Sequence, residues 1–160
     1  MTSESELAHL RRCVELAAAA LDDGDNPFGS VLVSADGEVL AEDRNRETTA
    51  RDPMAHPEIT LARWAAARLT PVERAGATVF TSGEHCPMCS AAHAWAGIGR
   101  IVYVASAAQF AAWTAEFGGP ESPVAPLPVR QVAPGVLVEG PVPELTDAVR
   151  ELHRRRFATR

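Results

Sequence analysis

Helical and strand patterns of hydrophobicity alternate along the chain. Apolar residues recur every three or four positions behind the capping pair Ser3 and Glu6, which predicts a first helix. Two apolar runs on either side of Asp36-Gly37 predict a hairpin, because this dipeptide is typical of tight turns. The pattern predicts helices over about residues 4–21, 57–69, 87–98, 107–117 and 143–156, and strands over 29–34, 38–41, 77–81 and 100–105.

The order of these elements indicates the fold class. A hairpin followed by alternating strands and helices predicts an α/β fold, a three-layer α/β/α sandwich around a mixed sheet. Proline is dense from Glu121 to Pro134, so we expect an irregular stretch there, with at most short edge strands over 129–132 and 136–139. Because no repeat or linker divides the 160 residues, we expect a single domain over 1–160.

Composition and charge narrow the class of protein. With 46% hydrophobic and 22% charged residues, the chain has the composition of a globular domain. Its formal net charge of −6 disfavours a nucleic-acid partner, because phosphate binding depends on a basic field. There is no run of about 18 apolar residues, and the first residues are too polar for a signal peptide. We therefore expect a cytoplasmic protein without a membrane partner.

Two short segments carry the residues from which we expect chemistry. His56-Pro57-Glu58 and Cys86-Pro87-Met88-Cys89 each open a predicted helix. One imidazole and two thiolates suit Zn²⁺ and leave a fourth tetrahedral position for water, which is typical of a catalytic zinc site. Glu58 follows the histidine by two residues, where its carboxylate can take a proton from that water and pass it to a leaving amine.

The same residues allow other interpretations. Taken alone, Cys86 and Cys89 also suit a redox pair or two buried thiols. A structural zinc site could be closed by His85 as a fourth protein ligand. Two adjacent residues rarely reach one metal with good tetrahedral angles, however, and Glu58 would then have no role.

The pattern His-x-Glu followed by Cys-x-x-Cys resembles the signature of the zinc-dependent cytidine deaminase-like superfamily. Residues 45–58, NRETTARDPMAHPE, resemble the segment of bacterial guanine deaminases and tRNA adenosine deaminases that runs from a base-binding Asn to the metal His. Asn45 matches the former residue and His56 the latter. Pro27-Phe28-Gly29 is more similar to the free-nucleobase branch than to the tRNA branch. The likeness covers about residues 5–105.

The resemblance implies an activity and a set of site residues. The activity is hydrolytic deamination of a free nucleobase or related amino-heterocycle, guanine-, cytosine- or triazine-like, in which C–NH₂ becomes C=O and ammonia is released. A homodimer without an organic cofactor is also implied. The alternatives are a tRNA adenosine deaminase, which the negative charge disfavours, and a non-enzymatic structural-zinc domain. The implied site comprises the Zn²⁺ ligands His56, Cys86 and Cys89, the proton shuttle Glu58, and the substrate-contacting residues Asn45 and Phe28. His85 is not part of the family pattern, and we expect it to contact the substrate because it is adjacent to Cys86.

The chain departs from the family pattern at three places. His85 stands where the family has a proline before its first cysteine, which places a second imidazole, besides that of His56, near the metal ligands. Pro57 stands where alanine is common, and it has no N–H to offer a substrate. Residues 116–119, Glu-Phe-Gly-Gly, lack the acidic residue that guanine deaminases usually carry after Gly-Phe. The sequence therefore leaves the identity of the base open.

Overall fold

A mixed five-stranded sheet forms the centre of the fold in the computed structural model, which describes residues 2–158. The strand order is β2-β1-β3-β4-β5. Strand β1 pairs antiparallel with both β2 and β3, whereas β3 with β4 and β4 with β5 are parallel pairs. The strands are β1 (Gly29–Val33), β2 (Val39–Arg44), β3 (Thr78–Gly83), β4 (Arg100–Ala105) and β5 (Leu137–Glu139).

Seven α-helices accompany the sheet in the described part of the chain. The Ser3–Glu6 capping box is present at the start of the first helix, as the sequence predicts. No helix between residues 2 and 158 is long and apolar enough to cross a membrane. The helices are α1 (Glu4–Asp22), α2 (Pro57–Arg68), α3 (Pro71–Gly76), α4 (Pro87–Ala96), α5 (Ala107–Glu116), α6 (Val129–Val132) and α7 (Thr146–Ala158), the last preceded by a 3₁₀ turn at Pro143–Leu145.

Alternate residues of the central strands are buried in two different helical layers. Val31 and Val33 of β1 belong to the core that packs against α1, α5 and α7, whereas Leu32 between them packs with α2 and α4. In β3, Phe80 lies in the first core and Val79 in the second. Because side chains of a strand alternate between faces, one sheet supports both layers. The predicted α/β fold with a mixed sheet is confirmed.

Two details of the predicted secondary structure are wrong. Residues 129–132 form the helical turn α6 instead of an edge strand, and the Glu84 carboxylate accepts a hydrogen bond from the Val129 N–H at the start of this turn. The second predicted edge strand does form, as β5. Helix α3 was not predicted, although Thr70 and Glu73 form a capping box that signals its start.

One edge of the sheet gathers the loops that carry the predicted site. Because β1 is antiparallel to its two neighbours, its first residues lie beside the last residues of β2 and β3. Gly29 pairs with Arg44, and Ser30 pairs with Thr81. The loop after β3 leads directly into α4, so residues far apart in sequence meet at this edge.

Candidate metal centre

The two motifs meet at the starts of two helices. His56 is the N-cap residue of α2, Cys86 is the N-cap residue of α4, and each is followed by a proline in the first helical position. The potential ligand atoms of His56, Cys86 and Cys89 all lie within 4.8 Å of one another. Among residues 2–158 this is the one group of three or more such side chains that could hold a metal ion.

The spacing of the donor atoms fits a zinc ion. The Nδ1 atom of His56 lies 3.6 Å from Sγ of Cys86 and 3.6 Å from Sγ of Cys89. Zinc bonds of about 2.3 Å to sulfur and about 2.0 Å to nitrogen, meeting at a tetrahedral angle of about 109°, separate the two donors by about 3.5 Å. The group does not include His85. The geometry thus favours three protein ligands over a site closed by a fourth.

The three potential ligands change one another's protonation. Hydrogen bonding from the Cys89 thiol, together with contact with His56, lowers the pKa of Cys86 below its ordinary value. Contact with Cys86, and then with Glu47, raises the pKa of His56 to about 10. The lowered pKa of Cys86 favours its thiolate, which is the form that binds metal. Metal binding would compete with the protons of this cluster.

Glu58 is a buried carboxylate in the first turn of α2. It is 6% exposed, and its Oε1 atom lies 3.0 Å from the hydroxyl of Ser30 and 3.2 Å from that of Thr81. Burial raises the pKa of Glu58. A raised pKa makes a carboxylate a better proton acceptor, which suits the role of a proton shuttle.

Asn45, predicted to bind the base, is engaged with a neighbour. It follows β2 and is 1% exposed. Its Nδ2 donates to Oε2 of Glu47 at 2.6 Å, and its Oδ1 accepts the backbone N–H of Glu47 at 3.0 Å. An asparagine amide has two N–H donors, so one remains for a substrate. The role of Asn45 in base binding stays a prediction.

Phe28 and His85 lie among other aromatic rings. The ring centroid of Phe28 is 5.2 Å from that of Phe110 and 5.0 Å from that of His153. His85 is 1% exposed, and its ring meets the ring of His93 edge-on at 5.2 Å. Burial lowers the pKa of His85, which keeps its imidazole neutral. Substrate contact by Phe28 and His85 stays a prediction.

Three polar residues of the site were not predicted. Ser30 and Thr81 lie on two paired, buried strands, with their hydroxyls next to the Glu58 carboxylate. Their proximity to Glu58 can be inferred only when the register of the two strands is known. Glu47 lies in the loop between Asn45 and His56, and its Oε1 is 3.6 Å from Nε2 of His56. An acidic residue close in sequence to a predicted metal-ligating histidine was the available signal.

The chain is similar in sequence to known deaminases. Residues 3–105 match the cytidine and deoxycytidylate deaminase zinc-binding region. The chain is 40% identical over 97 residues to guanine deaminase from Bacillus subtilis, covering 60% of this chain and 62% of that protein. It is 33% identical over 101 residues to a probable cytosine deaminase from Schizosaccharomyces pombe, covering 63% and 60%. With tRNA-specific adenosine deaminase from Agrobacterium fabrum, identity is 35% over 100 residues, covering 62% and 65%.

The chain thus spans less than two thirds of the length of each of these relatives. A solved guanine deaminase structure from Nitrosomonas europaea matches 99% of this chain and 86% of its own, with a TM-score of 0.72 and 22% sequence identity. This likeness shows that the two proteins share a fold, including the part after residue 105. The matched region contains His56, Glu58 and both cysteines of the metal centre. The chain therefore belongs to the cytidine and deoxycytidylate deaminase family, whose shared region binds zinc.

Proposed function

We propose that this chain is a zinc-dependent hydrolytic deaminase of a free nucleobase or a related amino-heterocycle. The observation that supports the proposal most strongly is the combination of three ligands with a buried acid. His56, Cys86 and Cys89 would hold a tetrahedral zinc ion with one position left for water, and Glu58 lies two residues after His56, in the first turn of α2. A structural zinc site would need neither the open position nor the buried carboxylate.

Each of these residues has a different role in the proposed reaction. When bound, zinc supplies the Lewis acidity that lowers the pKa of water at the open position to about 7. The Glu58 carboxylate would accept a proton from the attacking water and pass it to the ring nitrogen, as the new C–O bond forms at the amine-bearing carbon and the C=N π bond opens. Glu58 would then carry the proton of the new hydroxyl to the amine, so that the C–N bond breaks, C=O forms and ammonia leaves. Ser30 and Thr81 hold the carboxylate during both transfers.

Electrostatics favours a small substrate over tRNA. The formal net charge is −6, and a tRNA enzyme must neutralise several phosphates with basic side chains. The higher identity to guanine deaminase than to tRNA adenosine deaminase supports the same choice. The solved guanine deaminase matches nearly the whole chain, so a similar C-terminal part is available to shape the pocket. Residues 116–119 lack an acidic group at the family position, and we therefore propose the substrate class and not guanine itself.

The test is ammonia release from a panel of substrates. Purified protein with zinc would be given guanine, cytosine, an aminotriazine, the corresponding nucleosides, and tRNA, each with and without a chelator. We expect turnover of at least one free base, faster than of its nucleoside, and complete loss with the chelator. Turnover should change little between about 50 and 200 mM salt, whereas binding to tRNA falls steeply over that range.

Two results would contradict the proposal. Activity on tRNA alone would assign the chain to the tRNA branch. Absence of ammonia release from every substrate, in protein shown to hold zinc, would favour a structural role for the metal.

The homodimer implied by the family resemblance stays a prediction, and light scattering on the purified protein tests it.

A further inference from the structure

The carboxylate of Glu47 lies between the predicted metal ligand His56 and two asparagine amides. Its Oε1 is 3.6 Å from Nε2 of His56, and its Oε2 accepts hydrogen bonds from Nδ2 of Asn26 at 2.7 Å and from Nδ2 of Asn45 at 2.6 Å. The side chain is 24% exposed. Both carboxylate oxygens are therefore engaged, one with the imidazole and one with two amide donors.

The orientation of the His56 imidazole shows how Glu47 can act on the metal ligand. Nδ1 of His56 faces the two sulfur atoms, so Nε2 points to the opposite side of the ring, toward Glu47. When Nδ1 binds a metal, the proton of a neutral imidazole must be on Nε2, which becomes a donor. A carboxylate at that nitrogen fixes the tautomer and the ring orientation. The distance of 3.6 Å between Oε1 of Glu47 and Nε2 of His56 is only about 0.4 Å longer than a long hydrogen bond of about 3.2 Å.

The asparagines are themselves held as donors. Oδ1 of Asn45 accepts the backbone N–H of Glu47. Oδ1 of Asn26 accepts a hydrogen bond from Nε of Arg156 at 2.8 Å, which turns the amide NH₂ of Asn26 toward Glu47. Glu47 thus faces three donor groups, which are Nε2 of His56 and the Nδ2 groups of Asn26 and Asn45. Both side-chain oxygens at position 47 must therefore be acceptors. A carboxylate meets that requirement, whereas a glutamine amide meets half of it.

We propose that Glu47 is the positioning residue for the metal ligand His56, and that Arg156 of α7 supports it through Asn26. The inference rests on the proposed function only for the identity of the ion. Glu47 acts through the imidazole and is assigned no contact with substrate. The last helix, almost a hundred residues after the loop in sequence, thereby contributes to the order of the metal centre.

Metal affinity is the direct readout. Zinc binding to the full chain would be measured by competition with a chromophoric chelator, in the absence of any substrate. We expect Glu47→Ala to bind zinc 10- to 100-fold more weakly, roughly the range for loss of such an outer carboxylate. Glu47→Gln should fall between wild type and alanine, because its carbonyl oxygen can still accept from Nε2. Arg156→Gln should weaken binding in the same direction, by a smaller factor.

A matched control separates positioning from general loosening of the loop. The Asp25 carboxylate anchors the same loop by accepting hydrogen bonds from the backbone N–H groups of Thr48 and Thr49. Asp25→Asn should lower the thermal midpoint while leaving zinc affinity close to wild type. The visible spectrum of the cobalt-substituted protein should change for Glu47→Ala and remain unchanged for Asp25→Asn, because it reports the geometry of the ligands.

The outcomes separate this inference from the proposed function. Wild-type zinc affinity and cobalt spectrum in Glu47→Ala would overturn the positioning role, and so would equal weakening of zinc binding by Asp25→Asn. Neither result bears on deamination by the unaltered protein. Conversely, weaker zinc binding in Glu47→Ala together with no ammonia release by wild type would uphold the positioning role and refute the proposed activity.

Discussion

The hydroxyl of Ser30 lies 3.0 Å from Oε1 of Glu58, in the interior of the protein. The two residues are 28 positions apart, and they meet because β1 begins at the edge where α2 starts. Thr81 on the paired strand lies 2.9 Å from the same hydroxyl. A hydroxyl beside a buried carboxylate stabilises its ionised form and fixes the direction of its lone pairs.

Removal of the Ser30 hydroxyl should slow the reaction without changing substrate affinity. We expect Ser30→Ala to lower kcat about 10- to 150-fold with KM nearly unchanged, because one hydrogen bond to a charged group contributes about 1.5–3 kcal/mol and each 1.36 kcal/mol corresponds to about tenfold in rate. Ser82→Ala is the matched control, since this buried serine accepts a hydrogen bond from the Gly29 N–H on the same pair of strands. Equal losses of kcat in the two variants would contradict a specific role for Ser30.

Zinc should stabilise the fold through its three ligands. At a free zinc concentration of about 1,000 times Kd, binding adds about 4 kcal/mol to the free energy of unfolding. Thermal unfolding with and without a chelator should show this difference for wild type and lose it for Cys89→Ser. Cys13→Ala provides the control, because Cys13 is buried away from the group of ligands and its substitution should preserve the zinc-dependent increase. A zinc effect that survives Cys89→Ser would contradict the assigned centre.

Buried histidines should make the fold acid-sensitive. Burial lowers the pKa of His153, which packs against Phe28 and Phe110, to about 3. Below the ordinary histidine pKa of about 6.5 the unfolded chain takes up a proton that the folded chain excludes. Stability from this residue is therefore full above pH 6.5 and falls by about 1.4 kcal/mol per pH unit as the pH drops toward 3.

The variant His153→Phe tests this dependence. Urea unfolding between pH 4 and 6 should show a slope of stability against pH that is smaller by about 1.4 kcal/mol per unit than in wild type. Any change in stability above pH 7 reports packing alone, since the wild-type imidazole is neutral there in both states. An unchanged slope would mean that His153 is not excluded from protonation.

Glu84 should be important for the stability of the C-terminal part. Its carboxylate accepts hydrogen bonds from the Ala107 N–H and the Val129 N–H, both at 2.9 Å, and so joins the starts of α5 and α6 to the loop before Cys86. We expect Glu84→Ala to lower the free energy of unfolding by about 2–3 kcal/mol, because two N–H groups lose a charged acceptor. Glu139→Ala, which removes an exposed ion pair with Arg100, should cost less than about 1 kcal/mol. Similar losses would contradict the assigned role.

The sequence was sufficient for the parts of the site that depend on local spacing. His56 and Cys86 each precede a proline that starts a helix, so their motifs could be placed on helix starts and identified as potential ligands. The periodicity of apolar residues, through the order of the helices and strands that it predicts, was sufficient to predict the three layers of the fold. The proline-dense stretch predicts at most a short edge strand over 129–132, whereas a carboxylate 45 residues earlier accepts the N–H at the start of a helical turn there.

The polar support of the site could not be predicted because it depends on long-range contacts. Ser30 reaches Glu58 through the strand register, and Arg156 reaches Asn26 across 130 residues of sequence. Neither contact can be predicted from the residues that are adjacent in sequence to its two partners. The engagement of Asn45 with Glu47 is local, yet it depends on the conformation of a loop that has no periodic signal.

The measurement that tests the central claim most directly is the comparison of wild type with Glu58→Gln. Zinc content and ammonia release from the best free base would be determined on the same samples, with the exposed-site variant Glu38→Gln as the control. We expect one zinc per chain in all three proteins, normal turnover in Glu38→Gln, and a decrease of about 10²- to 10⁴-fold in Glu58→Gln, because only the proton shuttle is removed. Turnover by zinc-loaded Glu58→Gln within a fewfold of wild type would contradict the proposed mechanism.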